Sequence, residues 1–138
     1  MIVDTSALVA VVRGEKGNER ILAALLEDEG LIPTPVLVEF ERVTALEGNA
    51  PDPDARELLR LLFNGRLAPA PFSAADALIA ADANARHGSG NARGGKLNLL
   101  DLMVYAVAVR TDRPILCTGK DFGSTGIELH PATRTGAG

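Results

Sequence analysis

Tryptophan is absent from the 138 residues, and aromatic side chains make up only 4% of them. A core with so few large rings has to be assembled mostly from Ala, Leu and Val, which suits helices packed on a small sheet. Cysteine occurs once, as Cys117, so no intramolecular disulfide can form and nothing points to an oxidising compartment. A nucleophilic cysteine needs a base, and the only histidines are His87 and His130. Inside the apolar run Ile115 to Cys117 the thiol reads as a small buried hydrophobe. There is no His/Cys cluster with zinc spacing, no P-loop and no GxGxxG. Gly88-Ser89-Gly90 is too short and too polar in context for a nucleophile elbow. No apolar stretch approaches the length of a membrane span. The start, Met1-Ile2-Val3-Asp4-Thr5, lacks the basic and apolar regions of a signal peptide. The expectation is a soluble, cytoplasmic protein.

Positive charge is also in short supply. Lys and Arg number 14 against 18 acids, a formal net charge of -4. By itself this argues weakly against nucleic-acid binding, because phosphate contacts want cations. A carboxylate metal site contributes several negative charges of its own, however, and a local basic rim still attracts RNA.

What is present is an alternation of short β runs and helices within a length that suits one domain. Met1 to Val3 is the first apolar run, and Thr5 or Ser6 can cap a helix through Ala7 to Arg13. Asn18 to Glu29 carries Ile21, Leu22, Leu25 and Leu26 at helical spacing. Leu31 to Pro33 is a short strand, and Thr34-Pro35 starts a helix running to about Leu46. Asp52 caps the next helix, Leu67 to Pro71 is a loop or short strand, and Ser73 caps a helix to about Arg86. Residues 87–96 form a polar surface loop with four glycines. Leu99 to Arg110 is helical, Pro114 to Cys117 and Ile127 to Leu129 are strands, and the residues after Pro131 read as a frayed tail. The class is α/β with a mainly parallel sheet. In such sheets functional groups gather beyond the carboxyl ends of the strands, where Asp4 and Asp121 both fall.

Most acids need no special reading. Glu27, Asp28, Glu29, Asp52, Asp54, Glu57, Asp76 and Asp82 sit on or near ordinary helices and are expected on solvated surface. Four others stand apart. Asp4 is the only charge between Met1 and Val12, and burying an unpaired carboxylate costs several kcal/mol. It is either an N-cap or a functional acid. Asp101 is the only charge in the otherwise apolar stretch from Leu97 to Val109. A helix apolar all round is a buried one, so this acid enters the interior, again as a capping partner of Asn98 or as a functional group. Tyr105 shares its face. Glu39 borders the stripe of Val36, Phe40 and Val43, where an acid is usually a rim residue. Asp121 follows a strand, and taken alone reads as the cap of a turn. Several carboxylates converging on one pocket repel each other unless a cation neutralises them. Hard oxygen ligands select Mg2+ or Mn2+, and such ions promote phosphodiester cleavage.

Taken in order, the four acids resemble the motifs of the PIN-domain family, and specifically of VapC-type toxins. Ile2-Val3-Asp4-Thr5-Ser6-Ala7-Leu8 looks like the first motif and Val38-Glu39 like the second. Leu97-Asn98-Leu99-Leu100-Asp101-Leu102-Met103-Val104-Tyr105-Ala106 resembles the third, and Gly119-Lys120-Asp121-Phe122 the fourth. The likeness runs from Met1 to about Pro131. It implies a PIN fold, a central mainly parallel β-sheet flanked by α-helices, with residues 1–131 as a single domain and 132–138 as a flexible C-terminal tail. It implies Mg2+ or Mn2+ held by Asp4, Glu39, Asp101 and Asp121, and hydrolysis of RNA phosphodiester bonds by a type II toxin. It further implies a homodimer and a cognate VapB-like antitoxin whose tail enters the acidic groove. Thr5 or Ser6 is placed to orient a ligand or phosphate, Thr118 to assist the fourth acid, and Arg86, Arg93 and Lys96 to touch RNA backbone. Leu100, Lys120 and Gly126 stand where such toxins often carry Gly, a second acid and Asp. Two other readings stay open: a housekeeping PIN nuclease without an antitoxin, and a PIN fold with a degenerate site that only binds RNA or protein.

Overall fold

A computed structural model of the chain describes residues 1–134. Four parallel strands form its sheet: β1 (Ile2–Val3), β2 (Gly30–Pro33), β3 (Leu67–Ala70) and β4 (Ile115–Leu116). Their spatial order is β3-β2-β1-β4. In β1, Ile2 pairs with Leu31 on one side and with Ile115 on the other, and Val3 pairs with Leu116. Strand β1 lies between two neighbours, and β4 is covered on its outer side by the segment that bridges Ile115 to Leu129; Ile2, Val3, Ile115 and Leu116 are completely buried, which explains why these short runs hold no polar residue. Pro69 lacks an amide hydrogen and is accommodated because β3 is the outer strand.

Six helices pack around this sheet: α1 (Thr5–Val12), α2 (Asn18–Glu27), α3 (Thr34–Thr44), α4 (Pro53–Phe63), α5 (Ala74–His87) and α6 (Leu99–Thr111). Leu8, Ile21, Leu25, Val36, Phe40 and Leu62 from the first four fill the core with the strands. The expected helices all form, with shifted ends. Asp4 itself caps α1, accepting a hydrogen bond from the Ser6 amide, so the helix begins at Thr5. Pro33 precedes α3, and Thr34 is already helical; its hydroxyl instead accepts from Phe72 N at 3.2 Å. The caps Asp52, Ser73 and Asn98 stand where their side chains suggested. Helix α6 is buried through its middle, but Leu99 and Val109 at its ends are exposed.

Ile127 to Leu129 does not form the expected strand. Its pairing with β4 is confined to Ile115 and Leu129, held by Ile115 N to Glu128 O at 3.1 Å and His130 N to Ile115 O at 2.8 Å. Thr133 and Arg134 continue along the same edge: Cys117 N donates to Thr133 Oγ1 at 3.2 Å and Gly119 N to Arg134 O at 2.7 Å. Residues 132–134 of the expected tail are therefore hydrogen-bonded to the body, because β4 still has open amides there; residues 135–138 lie outside the described residues. The glycine-rich loop is closed at its base by Ser89 N to Leu97 O at 2.7 Å and Leu97 N to His87 O at 2.9 Å. Among the described residues, no helix is long and apolar enough to cross a membrane.

Sheet order decides where a ligand site can form. From β1 the chain moves outward to β2 and β3, then returns to place β4 on the other side of β1. The crevice beyond the carboxyl ends of β1 and β4 is the point where the winding reverses, the usual ligand position in open α/β sheets.

Candidate metal centre

At that crevice four elements contribute one carboxylate each. Asp4 leaves the end of β1, Glu39 sits on α3, Asp101 on the first turn of α6, and Asp121 on the turn after β4. All four line one cleft of about 270 Å3, together with Thr5, Ser6, Asn98 and Thr118. Among the described residues no Lys, Arg or His lines it. The four acids singled out from sequence are thus brought together, with no described cationic side chain in the lining to neutralise them.

Their surroundings differ. Asp4 is buried, with 6% of its surface exposed. Its Oδ2 accepts from Ser6 N at 3.1 Å and from Ser6 Oγ at 2.5 Å. Burial pushes its pKa up, the Ser6 hydrogen bonds pull it down, and the Glu39 charge adds to the rise; the net shift is upward. Asp101 is half-buried. It closes a reciprocal cap with Asn98: Asp101 N donates to Asn98 Oδ1 at 2.8 Å and Asn98 N to Asp101 Oδ2 at 3.0 Å. Its pKa is pushed up to about 6, by burial first and then by the charges of Asp4, Asp121 and Glu39, against the Asn98 hydrogen bond. For both acids capping coexists with a place on the cleft lining. Glu39 is half-buried and Asp121 exposed.

The donor set fits a hard divalent cation. Every candidate ligand is an oxygen, and the mutual repulsion visible in Asp4 and Asp101 is what such an ion relieves. Among the described residues no three His, Cys, Asp or Glu side chains are gathered closely enough to close on one ion. Such spacing leaves room for water between the carboxylates and a divalent ion. A fully dehydrated cage is not what this cleft offers.

Other expectations resolve as follows. Cys117 is buried, and burial, with the Asp4 charge behind it, pushes its thiol up to about 12, which leaves it inert. Tyr105 packs against His87 with the two rings tilted by 59° and their centroids 5.4 Å apart. Arg93 and Lys96 are exposed on the glycine-rich loop, while Arg86 is engaged with Asp82 at 3.4 Å. Asp76, expected on solvated surface, has no exposed area at all. It is paired with Arg110 of α6 and accepts from Ser73 N at 2.8 Å. Burial alone drives its pKa up, but Arg110 and Ser73 more than reverse this and leave it lowered. Its partner is 34 residues away, and no local pattern announces such a pair. Sequence reasoning also missed how Ser6 is used: its Oγ accepts from Thr118 N at 2.9 Å, across 112 residues. Thr5 Oγ1 is the single buried side-chain polar atom without a hydrogen-bond partner among the described residues.

Comparison with known proteins follows the same lines. Residues 1–128 match the PIN domain family. The chain is 37% identical over 133 residues to ribonuclease VapC36 of Mycobacterium tuberculosis, covering 94% of this chain and 92% of that protein. Among solved structures it resembles VapC20 of Mycobacterium tuberculosis, a sarcin–ricin loop cleaving toxin, with a TM-score of 0.72 at 17% identity, over 94% of this chain and 98% of that one. A toxin–antitoxin complex from Klebsiella pneumoniae gives a TM-score of 0.67 at 17% identity, over 97% and 95% of the two chains. With a family match spanning nearly its whole length and this level of identity, the chain belongs to the PIN domain family, in its VapC branch.

Proposed function

We propose that this protein is a divalent-cation-dependent endoribonuclease and the toxin of a type II toxin–antitoxin pair. One observation carries the reading: four carboxylates from four separate elements line a single cleft that no described cationic side chain lines. Such a concentration of negative charge repels a phosphodiester unless a cation mediates. We assign Asp4, Glu39 and Asp101 to hold Mg2+ or Mn2+ directly or through water, with Asp121 completing the site or supporting a second ion. The ion, when bound, supplies Lewis acidity toward the phosphate and the attacking water. The chain's own contribution is to fix the ligands. Asn98 orients Asp101 from the helix cap, Ser6 orients Asp4, and burial keeps both acids poorly hydrated and ready to exchange a proton for an ion. Exposed Arg93 and Lys96 are available for RNA backbone.

The relatives' names support the RNA substrate, and the architecture shared with a toxin–antitoxin complex supports a VapB-like antitoxin as partner. We read residues 1–131 as one domain acting in the cytoplasm. A homodimer is the expected assembly: an apolar groove of about 540 Å3 runs between α5 and the start of α6, lined by Phe72, Leu97, Leu99, Leu102 and Met103, with Leu99 74% exposed. The decisive experiment is Mg2+-dependent cleavage of total RNA by the wild type and by Asp4→Asn plus Asp101→Asn. Cleavage should vanish in the double variant while its circular dichroism is unchanged. Retained nuclease activity would overturn the site, and a wild type that binds no Mn2+ would leave a binding module instead.

A further inference from the structure

Beyond the last rung of the sheet, β1 and β4 separate. Asp4 N still donates to Leu116 O at 3.0 Å. The next amide of β4, Cys117 N, turns outward to Thr133 Oγ1. The one after, Thr118 N, comes back to the site and donates to Ser6 Oγ at 2.9 Å. The same hydroxyl donates to Asp4 Oδ2 at 2.5 Å. Gly119 then turns the chain with φ +94°, and Asp121 follows two residues on. Ser6 therefore spans the opening between the strand that ends in the first carboxylate and the turn that carries the fourth.

We infer that Ser6 is a positioning residue for the cation site, holding Asp4 and the Thr118–Asp121 turn at a fixed separation. This rests on the reading of the cleft as a cation-dependent nuclease site. The chemistry demands a hydroxyl. The bridge needs one atom that donates to a carboxylate and accepts from an amide, which Ser and Thr provide and Ala cannot. Both partners of the hydroxyl are functional: one is a proposed ligand, the other the backbone that sets where a second ligand stands. Without the bridge Asp4 keeps its hydrogen bond from Ser6 N, so helix α1 keeps its cap. What is lost is the restraint on the carboxylate's rotation and on the turn. Groups that orient metal ligands in this way typically contribute about 10- to 100-fold in metal affinity.

The test is Mn2+ binding by titration calorimetry, with single-turnover RNA cleavage and Tm, on Ser6→Ala, Ser6→Thr and Asp121→Asn. Ser6→Ala should weaken Mn2+ about 10-fold and slow cleavage at saturating Mn2+, with the KM for RNA unchanged. Ser6→Thr, which retains the hydroxyl, should restore both. In the Asp121→Asn background the Ser6→Ala effect should shrink, because one of the two restrained ligands is already gone. Mn2+ affinity and rate within twofold of wild type in Ser6→Ala, or a full effect persisting beside Asp121→Asn, would overturn the inference. Should Ser6→Ala fail to fold, Ser6→Cys, of similar size but a weak donor, takes its place with the same expectations. A wild type that neither binds Mn2+ nor cleaves RNA would instead remove the nuclease reading itself.

Discussion

Asp101 is where the chemistry of single residues becomes measurable. Its ordinary value of 3.8 is raised to about 6 in the fold, by burial and by its neighbours' charges. A carboxylate raised in the folded state stabilises that state when protonated; the benefit is complete below the ordinary pKa and is lost as pH climbs through about 6. Cation-free protein is therefore expected to carry a penalty at Asp101 above pH 6 that Asp101→Asn removes. The difference in Tm between Asp101→Asn and wild type, measured in chelator, should turn more positive from pH 4.5 to pH 7.5. A difference flat in pH contradicts the shift. Mn2+ affinity of the wild type should rise over the same interval, since the ion needs the ionised acid. Thr5 offers a second case at this scale. A buried hydroxyl with no partner costs about 1–3 kcal/mol, and Thr5 Oγ1 is in that position. Thr5→Val keeps the shape and deletes the unpaired group, so its chemical denaturation should show a gain of about 1 kcal/mol. A loss of stability would mean that the hydroxyl has a partner, such as a bound water.

Between elements, the pair of Asp76 with Arg110 ties the first turn of α5 to the last turn of α6. It keeps α6, and with it Asp101, in place against the helix that precedes it. Removing Arg110, itself partly exposed, leaves the fully buried Asp76 charge without compensation. Arg110→Ala should lower Tm by several degrees, whereas Arg60→Ala, at an exposed pair with Glu57, should leave it nearly unchanged. Equal effects from both would show that the buried pair contributes nothing special. This pair also marks what sequence can reveal. Caps are local, so Asp52, Ser73 and Asn98 were legible from their own few residues. Lone charges in apolar stretches are local too, and Asp4 and Asp101 stood out for that reason. Glu39 and Asp121 carried no such contrast; only a family pattern singled them out, and the cleft is where they join the other two. Asp76 shares the polar start of α5 with Ser73 and read as an ordinary solvated acid, while the residue that neutralises it lies on another helix. Ser6 was visible as a polar residue beside Asp4, but its bond to Thr118 depends on β4 lying next to β1. That adjacency is a property of the strand order and cannot be read from either segment. Ile127 to Leu129 has strand-like composition, yet the edge of β4 it meets is shared with Thr133 and Arg134, which limits its pairing.

At the scale of the whole molecule, stability and function pull against each other through charge. The fold concentrates four carboxylates at the point where the winding of the sheet reverses, and the net charge of -4 does nothing to relieve them. Cation-free protein stores that repulsion; cation-bound protein does not. Ligand that binds only the folded state stabilises it by about 2.7 kcal/mol at a hundred times its Kd. For a chain of this length each kcal/mol moves Tm by roughly 3–4 °C. Mn2+ at that excess should therefore raise the wild-type Tm by about 8–11 °C. Asp4→Asn plus Asp101→Asn should behave in the opposite way on both counts. Its Tm in chelator should exceed that of the wild type, because two like charges, one buried and one half-buried, are gone, and Mn2+ should no longer move it. The two measurements are independent. A double variant that is stabilised but still responds fully to Mn2+ would place the ion elsewhere. One that loses the response without gaining stability would mean that Asp4 and Asp101 are ligands whose repulsion the fold has already relieved by other means.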